Sequence, residues 1–263
     1  MKGRFLKGRF FFLLLCAASA RGFADSPPVA PNGILEYEGR TALIIQSGGF
    51  DFLADLTGRL EDADTSFQYR AFTLGAYYRP LKNLKVGGFY RLQAGVRHDD
   101  DWVSNPNPSG PWLWQDTRGR MENELMLDVS PRFLLDFLPG RSWVLMVKGR
   151  YIYNTFENQQ SIMVRPELTF FWLVNEEPFL DFLAAYEAYF PLNFGSTLIY
   201  ESYPWIGIHY HVTPDLMLEL GASYKSTVWS SSQEWLATPP NPPYQVIYSR
   251  WVASFGVIYT LSP

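Results

Sequence analysis

Apolar and polar residues alternate along most of the chain beyond its first fifty positions. Phe50, Phe52, Ala54, Leu56 and Leu60 fall on one parity, and Asp51, Asp55, Thr57 and Arg59 on the other. A period of two describes a strand with one apolar face and one wetter face. The pattern returns over 67–79, 84–98, 115–138, 142–154, 161–173, 179–190, 199–212, 216–229 and 245–261. Turn-forming residues separate these runs, at 80–84, Pro139-Gly140, 175–178 and 213–215. The reading is therefore all-β, with ten strands from Phe50 onward.

The final run is the most regular. Ile247, Trp251, Ala253, Phe255, Val257, Tyr259 and Leu261 share one parity, and the other is mixed. Within it, Ser254, Gly256, Tyr259 and Leu261 are spaced as in the C-terminal assembly signal of bacterial outer-membrane β-barrel proteins, which this segment resembles. The chain departs from that pattern by adding Ser262 and Pro263. The resemblance implies a transmembrane, antiparallel, up-and-down barrel, with outer-membrane lipid and the barrel-assembly machinery as partners. It points to no particular family. Such barrels keep long loops outside and short turns in the periplasm. The 98–114 segment, rich in Asp, Pro and Trp, is then an outer loop, and this sets the direction of every strand.

The N-terminus supports export. Lys2, Arg4, Lys7 and Arg9 precede an apolar run over 10–18, too short to span a bilayer. This reads as a signal peptide over 1–24, cleaved near Ala24. Cys16 follows Leu15 rather than a small residue, so it reads as part of the apolar run and not as a lipid-attachment site. The mature chain then has no cysteine, hence no disulfide. Cleavage removes five basic residues and no acidic one, which moves the net charge from −4 to −9. So acidic a chain is a poor match to nucleic acid, whose binding rewards basic patches.

Two features bear on the strand count. Residues 33–46 could form a strand, but Ala42-Leu43-Ile44-Ile45 breaks the alternation, so 25–49 reads as a lead-in or extra strand before the barrel at 50–263. Counting it gives eleven, against the even numbers of bacterial barrels. Twelve would need a further strand within 115–138. Aromatics near strand ends (Tyr78, Trp143, Trp172, Tyr210, Trp229, Tyr259) suit interfacial girdles better than the surface of a soluble sandwich, the competing architecture.

The inward parity is unusually charged. Turn positions place Asp128 opposite Arg150, Arg150 opposite Glu167, Arg165 opposite Glu187, and His209 opposite Glu219. These seven residues form an expected girdle across the lumen, with Arg150 held between two carboxylates. The girdle either fills a narrow barrel or selects small charged solutes as cargo. Barrel-embedded lipid hydrolases place a Ser/His pair on the lipid face, whereas His209 and His211 fall inward and His98 in a loop. No catalytic set, cofactor or metal site is expected. The function expected is a narrow or plugged pore for small solutes. The alternatives are a non-conducting surface barrel and, behind it, a lipid-modifying hydrolase.

Overall fold

A computed structural model describes residues 34–61, 64–96, 102–103, 113–114, 119–138, 142–194, 197–230 and 245–262. The expected signal segment lies outside the described residues. Eleven strands close into one barrel: β1 (Ile34–Ser47), β2 (Phe50–Glu61), β3 (Asp64–Leu81), β4 (Leu84–Ala94), β7 (Met121–Leu134), β8 (Trp143–Asn154), β9 (Gln159–Val174), β10 (Glu177–Pro191), β11 (Glu201–His211), β12 (Leu216–Ser230) and β13 (Gln245–Leu261). Between β4 and β7, the short strands β5 (Trp102–Val103) and β6 (Leu113–Trp114) pair as a separate ribbon.

Neighbouring strands are antiparallel around the wall except at one seam. There β1 lies parallel to β13, with Ile34 beside Arg250 and Ile45 beside Leu261. An up-and-down path with an odd number of strands must bring its first and last strands together in the same direction. The expected count of ten or twelve is therefore corrected to eleven, and the 34–47 segment is a full wall strand. The 115–138 region supplies only one described strand, β7.

The apolar run in β1 has a simple cause. Tyr37, Leu43 and Ile45 face out, 36–50% exposed, while Ala42 is 2% exposed and faces in. Ala42 and Ile44 are apolar residues on the lumen side, and they hide an alternation that the backbone obeys.

Hairpins at one rim, the turn rim, are tight. Gly48 and Gly49 both adopt positive φ, 58° and 86°, as a two-residue turn between twisted strands requires. Asn175 and Glu176 do the same at 54° and 67°. Their turn would leave β10 one residue out of phase, but a bulge between Pro178 and Leu180 restores it. Aromatics gather outside this rim. Phe50 packs on Tyr78 (centroids 5.0 Å apart), Phe179 meets Tyr210 edge-on (5.4 Å), and Trp172 and Tyr259 stand exposed nearby.

For eleven strands, a spacing near 4.8 Å and a tilt of about 40° give a backbone radius of about 11 Å. That is wider than a bore that side chains fill completely and narrower than an open porin channel.

Candidate functional site: the barrel lumen

Inward side chains leave a cavity of about 650 Å³ lined by residues from all eleven strands. Two devices keep it open. Aromatic rings lie flat along the wall where glycines leave space: Phe89 covers Gly75 and Gly87, and Trp205 covers Gly207 and Gly221. A Cβ on Gly75 would stand 2.3 Å from both the Phe89 ring and the Gly88 carbonyl oxygen. On one side of the bore, Phe89, Met126, Ile152 and Met163 form an apolar cluster, joined by Leu53, Tyr77 and Tyr189. This partial apolar collar runs from β2 to β10 and interrupts an otherwise polar lining.

Charge is sorted across the cavity. On the β4–β9 wall the lining residues are Lys85, Arg91, Arg132, Lys148, Arg150 and Arg165, against one carboxylate, Glu124. The remaining wall supplies eight carboxylates and four cations to the lining. Glu122, Asp128 and Glu167 also face inward from the β4–β9 wall, so the excess there is of cations, and on the remaining wall of carboxylates.

Most of these charges are paired. Arg150 grips Asp128 with two hydrogen bonds, Nε to Oδ1 at 2.6 Å and Nη2 to Oδ2 at 2.7 Å, and the Tyr77 hydroxyl donates to Oδ2 at 2.8 Å. A planar fork on a carboxylate is the strongest geometry open to such a pair. Asp51 holds both Arg79 and Lys85 at 2.7 Å. Lys225 meets Glu201 at 2.7 Å, its ammonium lying 5.2 Å from the Tyr203 ring centre. Toward the turn rim, Asp181 accepts from His211 at 2.8 Å and lies 3.7 Å from His209, which meets Glu219 at 3.1 Å.

The expected girdle is brought together in part. Asp128 faces Arg150 and His209 faces Glu219 in register, and Arg165 bonds Glu187 at 2.9 Å. The placement of Glu167 opposite Arg150 is overturned. Arg150 faces Met163, and Glu167 faces Met146. The β8–β9 loop is centred on 155–158, closed by the Asn154–Gln159 pair, not on Asn158 as its turn chemistry suggests. Moving the centre by two residues slides the register by four. Parity survives, so Glu167 still points inward, but it pairs with Arg165 at 2.7 Å instead. Arg165, not Arg150, is the cation held between two carboxylates. Of the seven residues, Arg150, Arg165, Glu187 and Glu219 line the cavity.

Sequence reasoning missed what β1 contributes. Arg59 reaches Glu38 at 2.7 Å and Glu36 at 3.4 Å, and Glu36 also meets Arg250 at 3.1 Å. Arg40 bonds Asp55 on β2 and reaches Glu219 on β12 at 3.5 Å. That second contact steps over β13 at Gly256. A Cβ there would lie 3.0 Å from Glu219 Cβ and 3.2 Å from its Oε1. The glycine expected to signal assembly thus gives Glu219 room to reach across the parallel seam. Ser254 also faces in, whereas Tyr259 and Leu261 face out, 43% and 39% exposed.

Gly256→Leu should therefore destabilise the refolded barrel even without any assembly factor, by about 1–3 kcal/mol, as overpacking does. Urea unfolding in lipid vesicles measures it. Pairing the change with Glu219→Ala should recover much of the loss, because contacting residues couple. Strict additivity would show that Gly256 acts elsewhere.

The chain matches no protein family, and no curated protein matches it.

Proposed function

We infer that the barrel spans an outer membrane and gives small charged solutes a polar path through it. The observation that carries this reading is an inside-out distribution of polarity. Large apolar side chains stand exposed around the outer wall: Leu56 57%, Leu127 63%, Ile206 64%, Leu220 58% and Trp251 54%. Meanwhile Asp51, Glu122, Asp128, Asp181 and Glu187 are 2–5% exposed in the interior. Water rewards the opposite arrangement, and an apolar surface extending round a whole barrel calls for an apolar surrounding. Closure leaves no unpaired edge in that surrounding.

The signal-like N-terminus and the 254–261 segment support export and delivery by the barrel-assembly machinery. The radius that eleven strands allow supports a narrow conduit rather than a wide one. No catalytic role is part of this reading.

Two measurements test it together. The mature protein should fractionate with the outer membrane and migrate differently in detergent gels before and after boiling. Refolded into planar bilayers, it should pass ions with a small unit conductance. Recovery as a soluble periplasmic monomer would overturn the reading entirely. Stable insertion with no conductance would overturn the path and favour a non-conducting surface barrel.

A further inference from the structure

Three side chains on successive strands of the basic wall keep donors that no described residue uses. They are Ser130 on β7, Lys148 on β8 and Arg165 on β9. Lys148 and Arg165 are direct register partners. Ser130 falls beside Lys148, because the same β7–β8 register pairs Asp128 with Arg150 and Arg132 with Met146. All three line the cavity. Ser130 is only 2% exposed, and its Oγ has no hydrogen-bond partner among the described residues. Arg165 spends its Nη atoms on Glu167 and Glu187, while its buried Nε has no partner. Lys148 makes no direct hydrogen bond or ion pair with any described residue, although Asp128 and Glu167 attract it at longer range.

Unused donors inside a protein are costly, and a half-enclosed cation with no carboxylate in direct contact adds to that cost. The carboxylates one step away attract Lys148 but bond none of the three unused donors. Asp128 is committed to Arg150 and Tyr77, and Glu167 and Glu187 to Arg165. What remains is a hydroxyl, an ammonium and a guanidinium N–H in a row, next to the apolar collar at Met163. Donors alone, carrying net positive charge, complement an oxyanion with several acceptor oxygens. The collar offers its carbon body a dry surface, and about 650 Å³ is ample for a small molecule.

We propose that Ser130, Lys148 and Arg165 form a binding site for a small organic anion, with its carboxylate or phosphate oxygens on the three donors and its carbon body on the collar. The site deepens the reading of the lumen as a solute path, on which it rests for its biological purpose. It makes the basic wall a halting point for anions rather than a uniform attraction.

Equilibrium binding to the full-length mature protein in detergent micelles tests the site without requiring conductance. The probes are hexanoate, which offers a carboxylate and an apolar tail, and inorganic phosphate, which offers oxygens alone. Hexanoate should bind at millimolar concentration or better. Lys148→Met should weaken it about tenfold, the scale of one charge-assisted contact. Lys148→Arg should restore most of the affinity, and Ser130→Ala should weaken it by a smaller factor while leaving the fold's charges intact. Phosphate binding as tightly as hexanoate would place the recognition in the donors alone and overturn the role of the collar. No binding of either probe, or equal binding by wild type and Lys148→Met, would overturn the site. Binding by a protein that conducts nothing would keep the site and remove the path. Conductance without binding would do the reverse.

Discussion

A chain from which residues 34–47 have been deleted should fail to refold into a stable barrel, although geometry permits one. Without β1, the strands left at the gap are β2 and β13, which run in opposite directions and could close an even, ten-stranded wall. The side chains oppose this. Arg59 would lose Glu36 and Glu38, Arg250 would lose Glu36, and Asp55 and Glu219 would lose Arg40. Removing one partner of an enclosed ion pair typically costs about 3–5 kcal/mol, and several such losses together exceed the total stability of an ordinary domain. The expected result is loss of the heat-sensitive folded band and of ordered β circular dichroism. Adding the 34–47 peptide during refolding should restore part of both. A truncated chain that folds to near wild-type stability would show that β1 is an accessory and that its ion pairs are dispensable.

Asp128→Ala should be the most damaging single substitution in the lumen, at about 3–5 kcal/mol. The Asp128 side chain is fully enclosed, with 0% exposure. Its loss frees Arg150 beside Lys148, takes away one of the two carboxylates that attract Lys148, and leaves the Tyr77 hydroxyl unbonded at the edge of the apolar collar. Asp128→Asn should cost less, since the shape is kept and one oxygen still accepts. Replacing Asp128 and Arg150 together with Leu and Met should cost clearly less than the two single changes added, because neither charge is then stranded. Urea midpoints of the refolded variants decide it. A loss below about 1 kcal/mol for Asp128→Ala, the range of solvent-exposed pairs, would mean that water reaches Arg150 and that the collar is wet.

Much of this architecture was legible because a strand's period is short and rigid. The alternation in β13 announces its outer face residue by residue, and the Asp128–Arg150 and His209–Glu219 pairs follow from hairpins whose turns are marked by Pro and Gly. Three things were hidden, each for a physical reason. β1 was obscured because a lumen can hold Ala42 and Ile44 as readily as charge, which erases the polar half of the pattern. The position of Glu167 depended on a loop centre that Asn158 alone does not define. The contacts that cross the bore or the seam, such as Arg40 with Glu219 over Gly256, arise only from closure, and no local pattern records which distant strands a barrel brings together. Ser130 and Lys148 were visible only as members of the inward parity. Their lack of partners becomes apparent only when every neighbouring carboxylate is seen to be committed.

The parallel seam has a directional consequence. Ile34 stands at the rim of the long connections and Leu261 at the rim of the tight hairpins, because β1 and β13 run the same way. In an even-stranded wall the polypeptide enters and leaves on one side of the bilayer. In the proposed membrane setting the covalent chain itself crosses the wall, so what is fused ahead of β1 and what is fused behind β13 would fall in different compartments. A label upstream of Ile34 and another downstream of Leu261 would answer to reagents added on opposite sides of an intact cell envelope. On that reading the barrel is a vectorial anchor.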